Sequence, residues 1–352
     1  MNTNPKIKRK LLKIIFIILI IIVIFLLVQF FKPTWTPKLK GENSISELRK
    51  VKINETKLEI MIRGHNKQNP IVLFVHGGPC CSEIPYVRKY QDLLEKDFTI
   101  VHYDQRGSGK SYDFNTDYTD VYASTHVKDL IELTKYLKDY LGQEEVILIG
   151  HSYGTYISTM AVNQEPELYK AYVGIGQVSN NVESELDGLN KSINAAKVAG
   201  NMEDVKDLES LTDAIEKGNA ITPRQYVRKY GFAARNIDEN EDYLKGFWFG
   251  PEYNWTDVIR YFTSISKYQD QLTMETVKYP IADIVKEIDI PVYFVMGKYD
   301  AMTSPEVAKK YLTSLGGKGI KEMVIFEDSA HYPQFEEKDK FYEWMCNTFL
   351  KQ

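Results

Sequence analysis

"EEVILIGHSYGTYISTMAV", residues 144–162, is the stretch on which the reading of the fold turns. The run before Gly150 is short and apolar, as in a buried strand. The run from Tyr153 to near Pro166 carries apolar residues at helical spacing. Between them stands Gly150-His151-Ser152-Tyr153-Gly154, a Gly-x-Ser-x-Gly turn from strand to helix. A β-carbon at Gly150 or Gly154 would clash with strand or helix, so both glycines have a steric reason to be there. Ser152 is therefore a candidate nucleophile at the top of such a turn.

The same alternation extends outward in both directions. "IVLFVH" (71–76), "FTIVHYD" (98–104), "AYVGIG" (171–176), "PVYFVMG" (291–297) and "EMVIFE" (322–327) are further short apolar runs. Several are continuous rather than alternating, as strands buried on both faces are. Helical patterns lie at 125–141, 153–165, 305–315 and 337–350. "VKINETKLEIMIRG" (51–64) alternates around a polar middle, as an antiparallel hairpin does. These predict an α/β fold: a mostly parallel sheet with helices on both faces and an antiparallel start. The core is expected over 48–178 and 286–352. The interval 179–285 is too long for a crossover and reads as an inserted helical cap, rich in aromatics such as Phe247, Trp248, Phe249, Trp255 and Phe262.

The N-terminus differs in kind. A basic segment at 1–10 leads into an apolar stretch at 11–31, enough helix to cross a bilayer. The bulky residues after it lack a small-x-small cleavage pattern, so an uncleaved transmembrane anchor is expected rather than a signal peptide. Lys6, Lys8, Arg9, Lys10 and Lys13 outnumber Lys32, Lys38 and Lys40. That bias predicts a single-pass protein of the cell membrane, N-terminus cytoplasmic, with the catalytic domain outside. Residues 32–47, with Pro33, Pro37 and Gly41, read as a tether.

Charge narrows the partners. The formal net charge is −4, but eight of the 44 Lys/Arg fall in residues 1–40, where there is no acid. The remainder carries 36 cationic residues against 48 acidic ones, a net of −12. Such a domain repels phosphate backbones, which argues against nucleic acid. Three cysteines make no disulfide framework, and no Cys/His spacing suggests a metal.

A serine hydroxyl needs a histidine to take its proton and an acid to orient that histidine. Asp300, in "GKYD", follows the strand run at 291–297, and His331, in "DSAHYP", follows the run at 322–327. With Ser152 they sit at strand ends in the order Ser, Asp, His. Asp328, three residues before His331, is the rival acid. Donors for the oxyanion are expected at the backbone N–H groups of Tyr153 and of Gly78 in "HGGP". No cofactor or metal is required.

Taken in order, "HGGP", "YDQRGSGKS", "GHSYG", "GKYD" and "SAHYP" resemble the proline iminopeptidase branch of the α/β-hydrolases, over roughly residues 50–350. The resemblance implies a serine aminopeptidase that releases an N-terminal residue, often proline, from a small peptide and grips its amine with cap acids. Glu252 in "FGPEYNW" is the first candidate for that grip, with Glu183 and Glu185 behind it. In the "DQRGSGKS" loop, Asp104 and Arg106 are expected to brace the fold. The family usually continues "HGGPG", whereas this chain has Cys80 at the last position. An esterase or lipase-like hydrolase on the same triad is the alternative, and a non-catalytic binding protein of the same fold is a third.

Overall fold

The computed structural model describes residues 5–351. Eight strands form one sheet: β1 Ile45–Ile53, β2 Thr56–Gly64, β3 Ile71–Val75, β4 Thr99–Tyr103, β5 Val146–His151, β6 Tyr169–Ile175, β7 Val292–Gly297 and β8 Lys321–Phe326. Their order across the sheet is β1-β2-β4-β3-β5-β6-β7-β8. β1 and β2 make a hairpin in register from Ile45↔Gly64 to Ile53↔Thr56. Its turn sets Asn54 at φ 49, a left-handed position that asparagine tolerates. β2 pairs with β4 antiparallel, and every pairing from β4 to β8 is parallel.

The continuous apolar runs follow from burial on both faces. Val146 and Leu148 of β5 pack with the helices Ala123–Leu141, Tyr153–Gln164 and Pro305–Ser314. Ile147 and Ile149 of the same strand pack on the other side with Phe341, Met345 and Phe349 of the helix Lys338–Phe349. No polar residue could alternate there without facing a core. Truncating Leu148 or Ile149 to alanine would cost roughly 2–5 kcal/mol.

Between β6 and β7 the chain is helical, from Asn181–Val198 to the long helix Trp255–Lys278. The Asn180 side chain accepts from the Glu183 N–H, and Asn254 with Asp257 forms a capping box on the long helix. Asn180 and the Asn254–Asp257 pair thus satisfy free N–H groups at the starts of these two helices.

The N-terminal helix runs Pro5–Phe31, so residues 5–10 of the basic segment continue the apolar stretch; residues 1–4 lie outside the described residues. It is long and apolar enough to cross a membrane, with mean hydropathy 3.6 over a window of which none is buried. The segment expected as a tether is instead strapped down. Lys110 Nζ donates to Thr34 Oγ1 at 2.7 Å, and the Trp35 N–H donates to the Pro251 carbonyl at 3.0 Å. Arg63 Nη1 donates to Thr36 Oγ1 at 2.7 Å and to the Pro37 carbonyl at 2.5 Å. Arg63 is buried and has more donors than its partner Glu95 can satisfy, so the strap supplies the missing acceptors. β1 also begins inside that segment, at Ile45.

Candidate active site

Ser152 sits between β5 and the helix Tyr153–Gln164 at φ 54, ψ −124, a conformation that costs a non-glycine residue about 1–3 kcal/mol. The surroundings enforce it. A Cβ on Gly154 would overlap the Val75 carbonyl, one on Gly150 would lie 2.8 Å from the Gly154 carbonyl, and one on Gly77 would lie 2.7 Å from Ser152 Cβ. β3 and β5 are therefore pressed around the serine, which stands out toward a cavity of about 660 Å³.

His331 and Asp300 reach the same edge from the ends of β8 and β7. His331 Nδ1 lies 2.8 Å from Asp300 Oδ2. The other Asp300 oxygen accepts the N–H groups of Met302 and Thr303 at 2.8 and 2.9 Å, and Thr303 Oγ1 donates to Oδ2 at 2.7 Å. Burial alone would raise the Asp300 pKa, but the His331 ring and the Thr303 donors hold it below the usual carboxylate range. Asp328 does not touch His331; its carbonyl accepts from Asn236 and its N–H donates to Glu337. Ser152 and His331 line one cavity, with no hydrogen bond between them among the described residues.

Gly78 and Tyr153 meet beside Ser152, where the three line a second, smaller cavity of about 60 Å³. Gly78 has φ 112, and a side chain there would meet the Cys81 N–H at 2.6 Å. Cys80, which replaces the expected glycine, also takes a left-handed φ of 67. The substitution is accommodated in a buried site at a local conformational cost. Cys80, Cys81 and Cys346 are free thiols, and burial pushes that of Cys80 up.

The cap acids are placed differently from the expectation. Glu252 is buried, but Arg88 Nε donates to its Oε1 at 2.8 Å and Thr36 Oγ1 donates to it at 3.3 Å, so its carboxylate pins the strap to the core instead of facing the cavity. Glu183 is paired with Lys310 on the surface. Glu185 lines the smaller cavity, yet both its oxygens are taken by Arg224 and the Thr222 N–H. All three acids are taken by cations distant in sequence, and spacing alone does not reveal those partners.

One acid was missed. Glu83, four residues beyond "HGGP", lines the main cavity. Its Oε1 lies 2.7 Å from His151 Nδ1, and His151 Nε2 lies 3.1 Å from the His331 carbonyl. Its Oε2 has no hydrogen-bond partner and lies 3.7 Å from His102 Nδ1. Burial would raise the Glu83 pKa, but His151, His102 and His76 bring it below the usual value. Its place in the loop that shapes the cavity floor was the available signal. Asp104 and Arg106 brace neighbouring loops: Asp104 accepts from Ser82, Tyr253 and the Lys110 N–H, and Arg106 pairs twice with Asp129. Among the described residues, no group of His, Cys, Asp and Glu could hold a metal ion.

The alpha/beta hydrolase fold family matches residues 70–338. The "Probable aminopeptidase YbaC" of Bacillus subtilis (strain 168) is 30% identical over 304 residues, 85% of this chain and 95% of that protein. A proline iminopeptidase of Saccharolobus solfataricus is 25% identical over 300 residues, 83% of this chain and 87% of that protein. Among solved structures, a proline iminopeptidase-related protein of Thermus thermophilus matches with TM-score 0.59 at 16% identity, over 86% of this chain and 96% of that one. A membrane phospholipase A described as a bacterial virulence factor matches with TM-score 0.58 at 13% identity, over 86% of each chain. At such identities the structural likenesses speak for the fold alone.

Proposed function

The chain belongs to the alpha/beta hydrolase fold family, as a serine hydrolase similar to proline iminopeptidases, and on that premise we propose that it is a membrane-anchored aminopeptidase that releases an N-terminal residue from small peptides. The observation that carries this reading is the 2.8 Å contact of Asp300 with His331 on the wall of the cavity into which Ser152 is held. Ser152 Oγ attacks the scissile carbonyl while His331 takes its proton, with Asp300 fixing the ring. The N–H groups of Gly78 and Tyr153 receive the oxyanion. His331 then gives the proton to the leaving amine, and water attacks the acyl-enzyme by the same route.

A protonated N-terminus entering this cavity needs a charged partner, because losing its water uncompensated is costly. Glu83 is the acid nearest that need: its carboxyl is held below the usual range and it lines the cavity beside His151, whereas Arg224 already neutralises Glu185. The positive residues at the start of the apolar helix support an N-terminus held inside and a hydrolase domain outside, so protease added to intact cells should degrade the domain. The deciding experiment compares prolyl and alanyl arylamides with their N-acetyl derivatives. Acetylation should cost roughly 10–10³-fold in kcat/KM, the scale of removing one member of a buried charge pair. Equal cleavage of both would sink the peptidase. It would select a carboxylic ester hydrolase, a reading that the aromatic wall of Phe247, Trp248, Tyr261 and Phe262 favours.

A further inference from the structure

The apolar N-terminal helix is fastened to the cap at its last turns. The ring of Trp255 stands edge-on to Phe25 and Phe30, with centroids 6.3 and 5.4 Å apart. Thr256 Oγ1 donates to the Phe30 carbonyl at 2.8 Å, and Asn254 Nδ2 donates to the Lys32 carbonyl at 3.1 Å. Lys32 is the first charge after the apolar run. Phe25 precedes it by seven residues, about 10 Å of helix at 1.5 Å per residue. A bilayer that covers this helix up to Lys32 therefore also reaches Trp255, where the longest cap helix begins.

Around Trp255 the cap presents apolar side chains that the described residues leave largely uncovered. Leu244, Trp248, Phe249, Ile259 and Phe262 are exposed, Phe249 by 75% and Phe262 by 53%. Trp255, Ile259 and Phe262 follow at helical spacing and share one face. An exposed patch of this size marks an interaction surface. Its partner is identified by what adjoins it: an apolar helix of membrane-spanning length, with tryptophans beside its end as at a membrane–water interface. Trp248 and Phe262 line the catalytic cavity as well as the surface groove beside it, so one wall serves both.

We propose that this cap face docks into the interfacial layer of the bilayer and opens the catalytic cavity to amphiphilic substrates dissolved there. The inference rests on the membrane-anchored reading of the N-terminal helix. Docking to a depth of about 5–10 Å, as for interfacial helices, would place Trp255, Phe249 and Ile259 among the acyl–headgroup boundary.

The test uses the full chain reconstituted in vesicles of phosphatidylethanolamine and phosphatidylglycerol, with and without brominated acyl chains. Flotation first reports whether the chain is anchored. Tryptophan-to-phenylalanine variants then assign quenching among Trp35, Trp248, Trp255 and Trp344. Brominated lipid should quench Trp248 and Trp255 and spare Trp344, which packs against Tyr293 of the sheet. Phe249→Glu/Ile259→Glu, at positions outside the cavity, should still float but lose the Trp248 quenching. It should keep its rate on a water-soluble arylamide and lose roughly tenfold or more on a long-chain substrate held in the vesicle. A chain that does not float would overturn the anchor and the docking together. A chain that floats with Trp248 quenched by aqueous acrylamide but not by lipid overturns the docking alone. Trp248 shielded from both quenchers would assign the face to a second copy of the chain, and also overturns it.

Discussion

The carboxyl edge of the sheet and the cap above it hold their polar side chains by different means. At the edge, backbone does the holding: β3 presses on Gly154, Gly77 leaves no room beside Ser152, and Gly176 would carry its Cβ only 2.9 Å from the His331 ring. The cap is joined to the core mainly by side chains reaching across in both directions. Arg88 grips Glu252, Lys89 and Tyr90 grip Asp242, the Ala123 N–H reaches Glu275, and Tyr253 donates to Asp104. Both cations among them are partly exposed, Lys89 by 53% and Arg88 by 38%. The difference teaches that the chemistry is fixed by chain geometry, whereas access and selectivity depend on a docked body held by charge.

The contrast breaks first at the proposed nucleophile. Ser152→Ala should lower kcat by about 10⁴-fold or more with an unchanged thermal unfolding curve, since only binding and oxyanion stabilisation remain. Activity within about tenfold of the parent would move the nucleophile elsewhere. Asp300→Asn comes next, at about 10³-fold, because an amide would hold His331 in the wrong tautomer. Asp328→Asn, which has no contact with that ring, should stay within about twofold; the reverse ranking would refute the assignment of the acid.

Smaller effects belong to the joints of the cap. Asp104 carries a pKa pushed up to about 7, chiefly by burial and against the donors Ser82, Tyr253 and the Lys110 N–H. Its folded pKa lies above the ordinary value of 3.8, so the folded state binds more protons between those limits. Stability should therefore fall as pH rises from about 4 to about 7, and Asp104→Asn should flatten that decline in Tm. Parallel Tm–pH curves for parent and variant would remove Asp104 from the account. Glu252→Gln should be mildest, lowering Tm by about 2–6 °C because Arg88 is partly exposed and screened, while kcat on a small arylamide stays within about twofold.

How much of this was legible follows the same division. The strands were readable because both faces of β5 and β7 are buried, which leaves continuous apolar runs. Ser152, Asp300 and His331 could be singled out as candidates because each stands within a few residues of a strand end. Glu252 was misjudged because its partner Arg88 lies 164 residues away, and an acid on a cap gives no local sign of such a pairing. Glu83 was overlooked although it neighbours a readable motif, since its significance depends on His151 and the His331 carbonyl closing around it. The strap read as a tether because prolines and a glycine mark irregular chain, and nothing local shows that Arg63 and Lys110 hold it down.

That strap decides where a soluble form of the enzyme should begin. A chain starting at Lys32 sheds the apolar helix and keeps Thr34 on Lys110, Trp35 on Pro251 and Thr36 on Arg63. One starting at residue 48, where the recognisable core was expected, also cuts into β1 and strips acceptors from a buried guanidinium and a buried ammonium. A protease that severs the chain just after Phe31 would thus separate an intact hydrolase from the apolar helix, and one that cuts about ten residues later would not.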